Sequence, residues 1–126
     1  MPDFVNRWAT FWSRPTPEAV RDLTHPDIVL RWPGQEEPIT GAEAWAARVA
    51  GTLARFPDLH LEVTGHAQEG ETLFISWRGF ATVNGDPAEW EGIDRMTIRE
   101  GVVLDSLVAF DTTALRAPDR NDRQAP

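Results

Sequence analysis

Gly92-Ile93-Asp94-Arg95-Met96-Thr97-Ile98-Arg99-Glu100-Gly101-Val102-Val103 reads as the end of one β-strand, a tight turn and the start of the next. Over residues 88–99 the side chains alternate. Trp90, Gly92, Asp94, Met96 and Ile98 share one face, and Glu89, Glu91, Arg95, Thr97 and Arg99 share the other. The first face is apolar except for Asp94. A carboxyl group placed there must be paired, hydrogen-bonded or protonated, because an isolated buried carboxylate is too costly. Asp94 is therefore either an acid or hydrogen-bond donor in a pocket, or a structural acceptor for an indole N–H or a nearby Arg.

The same period of two runs from residue 59 onward in four segments, separated by Glu69-Gly70, Asn84-Gly85 and Glu100-Gly101. Turns this tight join antiparallel neighbours, so the C-terminal half is an antiparallel meander that curls around whatever packs on it. In the segment 72–83 both faces are partly apolar. Leu73, Ile75, Trp77, Gly79, Ala81 and Val83 lie on one, and Phe74 and Phe80 stand on the other beside Ser76, Arg78 and Thr82. Phe74 and Phe80 mark either an association surface for a second copy or packing within the monomer. On the last strand Leu104, Ser106, Val108 and Phe110 share a face, with Val103, Asp105, Leu107 and Ala109 opposite. Ser106 lines the same cavity as Asp94 or is a small core residue bonded to backbone.

Upstream, the pattern is helical. Phe4, Trp8, Phe11 and Trp12 form one stripe behind a candidate cap at Asp3. Thr16-Pro17-Glu18 starts a short second helix burying Val20 and Leu23 and ending before His25-Pro26. Asp27–Trp32 is a strand closed by Pro33-Gly34. Thr40 and Glu43 form a capping box for a third helix with the stripe Trp45, Val49, Leu53 and Phe56, stopped by Pro57. Trp8, Trp32 and Trp45 are pocket-wall candidates, or simply core. Residues 1–116 are expected to be one domain and 117–126 a frayed tail.

Composition removes several functions. The chain of 126 residues carries a net charge of −8, and its basic residues, all Arg, are scattered, which argues against nucleic acid. No segment reaches the roughly 20 apolar residues of a membrane span, and no secretory signal opens the chain, so a cytoplasmic location is expected. Cysteine is absent, which rules out disulfides and thiolate chemistry. His25, His60 and His66 do not have metal-ligand spacing. There is no nucleophile elbow, phosphate loop or dinucleotide fingerprint, and no cofactor is expected.

In the order of these elements, and in the segment Gly92–Val103 together with the loop Pro33–Gly41, residues 3 to 113 resemble the ketosteroid-isomerase/SnoaL-like superfamily. The resemblance implies an α+β fold of three N-terminal helices packed in a strongly curved, mostly antiparallel sheet, a cone-shaped barrel around one small-molecule pocket. It also implies a homodimer. In ketosteroid isomerases a Tyr and a protonated Asp form the oxyanion hole while a second Asp moves the proton. By position Asp94 corresponds to the protonated Asp. The Tyr corresponds to Trp8 and the base to Trp32, and the catalytic acid of the polyketide cyclases falls at Val108. The Arg-x-Asp of limonene-epoxide hydrolases occurs only at Arg120-Asn121-Asp122 in the tail. The resemblance therefore implies a pocket for a flat apolar compound with one oxygen function, walled by Trp8, Trp32, Trp45, Ser106 and Val108. In it Asp94 is either the acid of an isomerase or cyclase, or the anchor of a non-catalytic binder. An interaction module built on the open sheet face is the alternative.

Overall fold

The structure, a computed structural model, describes residues 4–33 and 35–110. Asp3 and the whole tail of 117–126, with Arg120-Asn121-Asp122, lie outside the described residues. Helix α1 (Phe4–Ser13) leads through a single 3-10 turn (Ala19–Asp22) to β1 (Thr24–Arg31) and the short β2 (Ile39–Thr40). Helix α2 (Ala42–Arg55) follows, and then β3 (His60–Glu69), β4 (Thr72–Val83), β5 (Asp86–Arg99) and β6 (Val102–Phe110). The strands form one sheet in the order β2-β1-β6-β5-β4-β3. All pairs are antiparallel except β1 with β6, which run parallel.

The meander follows from its turns. Asn84 (φ 53°) and Gly85 (φ 85°), and likewise Glu100 (φ 56°) and Gly101 (φ 83°), take the two positive φ values that a primed hairpin turn requires. Each hairpin then pairs residues equidistant from its turn, which sets Ile75 opposite Asp94 and Trp77 opposite Gly92. The sheet bends at two irregularities. Thr64 is the extra residue between the Val63–Trp77 and Gly65–Ser76 pairs, and Leu104 lies between Thr97–Asp105 and Ile98–Val103. The second reverses part of the expected alternation. Val103 turns inward with Ser106 and Val108 instead of outward with Asp105 and Leu107.

The helices lie on the concave side, α1 against β3 and α2 against β1 and the 3-10 turn. Phe4, Trp8 and Phe11 of α1 and Trp45 and Val49 of α2 are buried there, as their spacing predicts. Three expectations are corrected. The second helix is only the four-residue turn Ala19–Asp22, because β1 claims the backbone from Thr24 and runs through Pro26 with a register shift before Val29. The Thr40/Glu43 capping box does not form. Thr40 is held in β2 opposite Val29, Gly41 (φ 96°) caps α2, and Glu43 accepts two hydrogen bonds from Arg21, at 2.8 and 2.6 Å. Among the described residues the sheet is curved but open: β2 and β3 are its two edges and do not meet, so there is no closed barrel.

Candidate functional site

The inner faces of β4 and β5 are built around two reciprocal Trp–Gly pairs, Trp77 opposite Gly92 and Trp90 opposite Gly79. A Cβ on Gly92 would lie 2.3 Å from Trp77 Cζ2, and one on Gly79 would lie 2.6 Å from Trp90 Cε2. Each indole occupies the space that a side chain opposite would fill. Lying across Gly92, Trp77 reaches the next inward residue of β5, and its Nε1–H donates to Asp94 Oδ1 at 2.9 Å.

Asp94 is 8% exposed. Burial pushes its pKa from 3.8 up to about 7, and the Trp77 hydrogen bond opposes that rise without cancelling it. Both readings of the residue meet here: Asp94 accepts an indole N–H, and it also faces open space. The space is a cavity of about 90 Å³ between the concave face of the sheet and the two helices. Among the described residues lining it, Asp94 is the only ionisable side chain.

Six rings wall the cavity in series, each within 6.5 Å of the next: Trp8, Trp12, Trp45, Trp32, Phe110 and Trp77. The series starts on α1, crosses α2 and the end of β1, and finishes at the residue bonded to Asp94. Tilted and edge-on contacts of this kind hold the rings in fixed relative positions. The wall also carries two buried polar atoms with no hydrogen-bond partner among the described residues, Trp32 Nε1 and Ser106 Oγ.

The residues singled out from the sequence, Asp94, Trp8, Trp32, Trp45, Ser106 and Val108, all line this one cavity. Val108 sits directly opposite Asp94 across the β5–β6 ladder. Trp77 and Trp90 were missed as wall residues, as was Phe110. The signal was present, since Trp-x-Gly recurs at 77–79 and 90–92, equidistant from Asn84-Gly85, so that each Trp meets the other strand's Gly. Of the proposed surface aromatics, Phe74 is 45% exposed, while Phe80 is partly covered by the His60 ring stacked on it at 4.9 Å. Among the described residues no cluster of His, Cys, Asp or Glu could hold a metal ion, and no helix is long and apolar enough to cross a membrane.

An aromatic cavity with a single protonatable carboxyl, enclosed by a bent open sheet and two helices, defines a small-molecule pocket protein of the ketosteroid isomerase-like α+β fold. The chain belongs to the SnoaL-like domain family, whose model matches residues 5–105. A Catenulispora acidiphila protein of ketosteroid isomerase-like fold, solved in complex with trimethylamine, superposes with a TM-score of 0.82 at 19% identity, covering 91% of this chain and 90% of that one. A candidate polyketide cyclase from Acidithiobacillus ferrooxidans gives 0.80 at 20% identity over 98% and 94% of the two chains. IdmH, a candidate polyketide cyclase from Streptomyces antibioticus, gives 0.76 at 21% identity over 89% and 92%. None of the curated proteins matches this chain.

Proposed function

We propose that this protein binds a small, mostly apolar compound through a carbonyl or enol oxygen, with the Asp94 carboxylic acid as hydrogen-bond donor, and that it catalyses an isomerase- or cyclase-type proton transfer on that compound. One observation carries the reading: among the described residues Asp94 is the sole ionisable group lining an aromatic cavity, where burial pushes its pKa up to about 7. A neutral carboxylic acid aimed at a carbonyl polarises it and stabilises the negative charge of an enolate. The positions where relatives of this fold keep a base hold Trp32 and Val108 here, and neither side chain takes a proton. A second proton-transfer group is therefore absent from the described lining, so the same carboxyl must both deliver the proton and take one back. A pKa near the working pH suits a group with both tasks. Trp77 engages one lone pair of Oδ1, so Oδ2 carries the proton delivered to the ligand oxygen and Oδ1 takes the proton leaving carbon, which returns the carboxyl to its neutral form.

The cavity limits the ligand's size. At about 90 Å³ it falls below the roughly 150 Å³ of an engineered cavity that takes up benzene, so it excludes multi-ring compounds, and a single six-membered ring enters only with displacement of wall side chains. Intrinsic Trp fluorescence titrated with cyclohexanone is the direct test. Saturable quenching is expected at pH 5.5, weakening as pH rises through 7 because the donor proton leaves; in Asp94→Asn, whose amide N–H is a poorer donor but does not titrate, binding should be weaker and its pH dependence lost. A trimethylammonium compound would need the carboxylate and show the opposite pH dependence; binding of that compound alone would replace the carbonyl reading with amine recognition by the aromatic wall. Deuterium exchange at the carbon next to the carbonyl, followed by NMR, separates enzyme from binder. Acceleration that Asp94→Asn abolishes supports catalysis; exchange at the buffer rate with intact binding leaves a binding protein.

A second reading concerns assembly and rests on the outer face of the sheet. Phe74, Ile93 and Leu107 are 45, 50 and 38% exposed, and they adjoin one another through Arg95, which pairs with both Phe74 and Leu107. Along β5 this face runs Glu89, Glu91, Ile93, Arg95, Thr97, Arg99, acidic at one end and basic at the other. A two-fold axis through Ile93 lays the acidic end of one copy on the basic end of the next, the self-complementarity that an isologous dimer requires.

A further inference from the structure

Among the described residues two polar atoms of the wall stand without partners, and their placement deepens the reading of the pocket, on which this inference rests. Ser106 Oγ and Trp32 Nε1 are both buried and both on residues lining the cavity. A buried donor left unpaired keeps its full desolvation cost, so native structures seldom keep one without a use. Here there are two on the same wall.

The ladders fix where these groups stand relative to Asp94. Asp94 pairs with Val108 and Met96 with Ser106, so Ser106 is the diagonal neighbour of Asp94 on the inner face. On the other side of β6, Leu30 pairs with Ser106 and Arg31 with Leu107, which carries Trp32, just past the end of β1, level with Val108. Asp94, Ser106 and Trp32 therefore surround Val108, two strand spacings of about 4.8 Å separating the outer pair. Val108 offers no hydrogen-bonding atom in its side chain, so the polar side chains nearest a ligand lying over it are Asp94 on β5, Ser106 two residues back on β6 and Trp32 just past β1.

We infer that Ser106 Oγ and Trp32 Nε1 form a second anchoring point, and that the natural ligand carries two oxygen functions on one small ring, as in a cyclic 1,3-dicarbonyl compound or its enol. Asp94 takes one oxygen. Trp32 N–H can only donate, so the second oxygen is an acceptor, and the Ser106 hydroxyl adds a second donor to it. A keto or enolate oxygen accepts both bonds.

The test compares 1,3-cyclohexanedione with cyclohexanone, which has the same ring and one oxygen fewer, at pH 5.5. Binding is followed by fluorescence for wild type, Asp94→Asn and Ser106→Ala, and by calorimetry for those three and Trp32→Phe. The dione is expected to bind wild type at least tenfold more tightly. Ser106→Ala and Trp32→Phe should each remove most of that advantage by weakening the dione far more than cyclohexanone, whereas Asp94→Asn should weaken both ligands. Thermal melts of unliganded Ser106→Ala add a readout that needs no ligand: an unused hydroxyl predicts an unchanged or raised Tm, and a Tm several degrees lower would mean a structural bond and overturn the inference. Cyclohexanone binding through Asp94 with no gain for the dione would also overturn it while leaving the proposed function intact. Binding of neither compound would remove both.

Discussion

Asp94 joins chemistry to stability in a single side chain. Its carboxyl has a pKa of about 7 in the folded protein against 3.8 as the ordinary value, so between those limits the native state holds a proton that the unfolded chain releases. Stability from this group is full below pH 4 and declines as pH rises toward 7, by roughly 4 kcal/mol at most. The surface carboxylates act in the other direction. Glu43, Glu71 and Asp58 are held below their ordinary values, first by hydrogen bonds from Arg21, Arg99 and Thr82, so what they contribute is present above about pH 4.5 and lost as pH falls through their depressed values. The two windows are separate. Asn at position 94 keeps an oxygen for the Trp77 N–H and cannot ionise. Urea melts at pH 5 and pH 8 should therefore show wild type losing stability with pH while Asp94→Asn loses much less. Equal slopes in the two proteins would mean that the carboxyl is not buried as described. The residue was legible because period-two alternation assigned it to the apolar face. Its partner was not, because the Trp77 contact runs diagonally and appears only once the hairpin register is applied to glycines as well as to bulky residues.

Among the elements, the β4–β5 hairpin matters most to the pocket, and its glycines are as informative as its tryptophans. Gly92→Ala puts a methyl group 2.3 Å from an indole carbon and must displace Trp77. We expect a cost of about 1–3 kcal/mol in urea denaturation, typical of overpacking. Ligand binding should fall as well, because the indole that moves is the one holding Asp94. Gly79→Ala displaces Trp90 instead. It should cost a similar amount of stability while leaving the pH dependence of Asp94 in place, and an identical effect of the two substitutions on that dependence would undo the distinction. Elements were easiest to read where local chemistry faced no competitor, as in the Asn84-Gly85 turn and the α1 stripe. They were misread where a strand competed for the same residues. Thr40 has the chemistry of an N-cap but serves the ladder with β1, and Thr24 to Pro26 joined β1 despite the proline. The bulge at Leu104 likewise has no local signature, because it is imposed by pairing on both sides of β6.

At the scale of the whole molecule the sheet has two unlike faces, and among the described residues helices cover only the inner one. If the outer face joins two copies, Ile93→Glu places like charges near the two-fold axis. Sedimentation of this variant should give the monomer mass where wild type gives twice that, with cyclohexanone binding unchanged because residue 93 points away from the cavity. A wild type that sediments as a monomer at high concentration would remove the dimer. The curved α+β plan was visible in the sequence from the change of period at residue 59 and the three glycine turns. The openness of the sheet and the reduction of the second helix to one turn depend on which strands become neighbours, and no local pattern encodes that.

The parallel seam between β1 and β6 gives the molecule a history as well as a shape. Strand β1 is made early and β6 late, and the hydrogen bonds that join them, with Val103 N–H donating to Leu23 C=O at 2.8 Å among the contacts beside them, form only when both are present. The meander of β3 to β5 pairs near neighbours in the sequence, while β1 pairs with a strand that lies beyond α2 and the whole meander, a contact of high loop-closure cost. Trp32 and Asp94 sit on opposite sides of that seam, so the pocket is complete only when the β1–β6 pairing has formed.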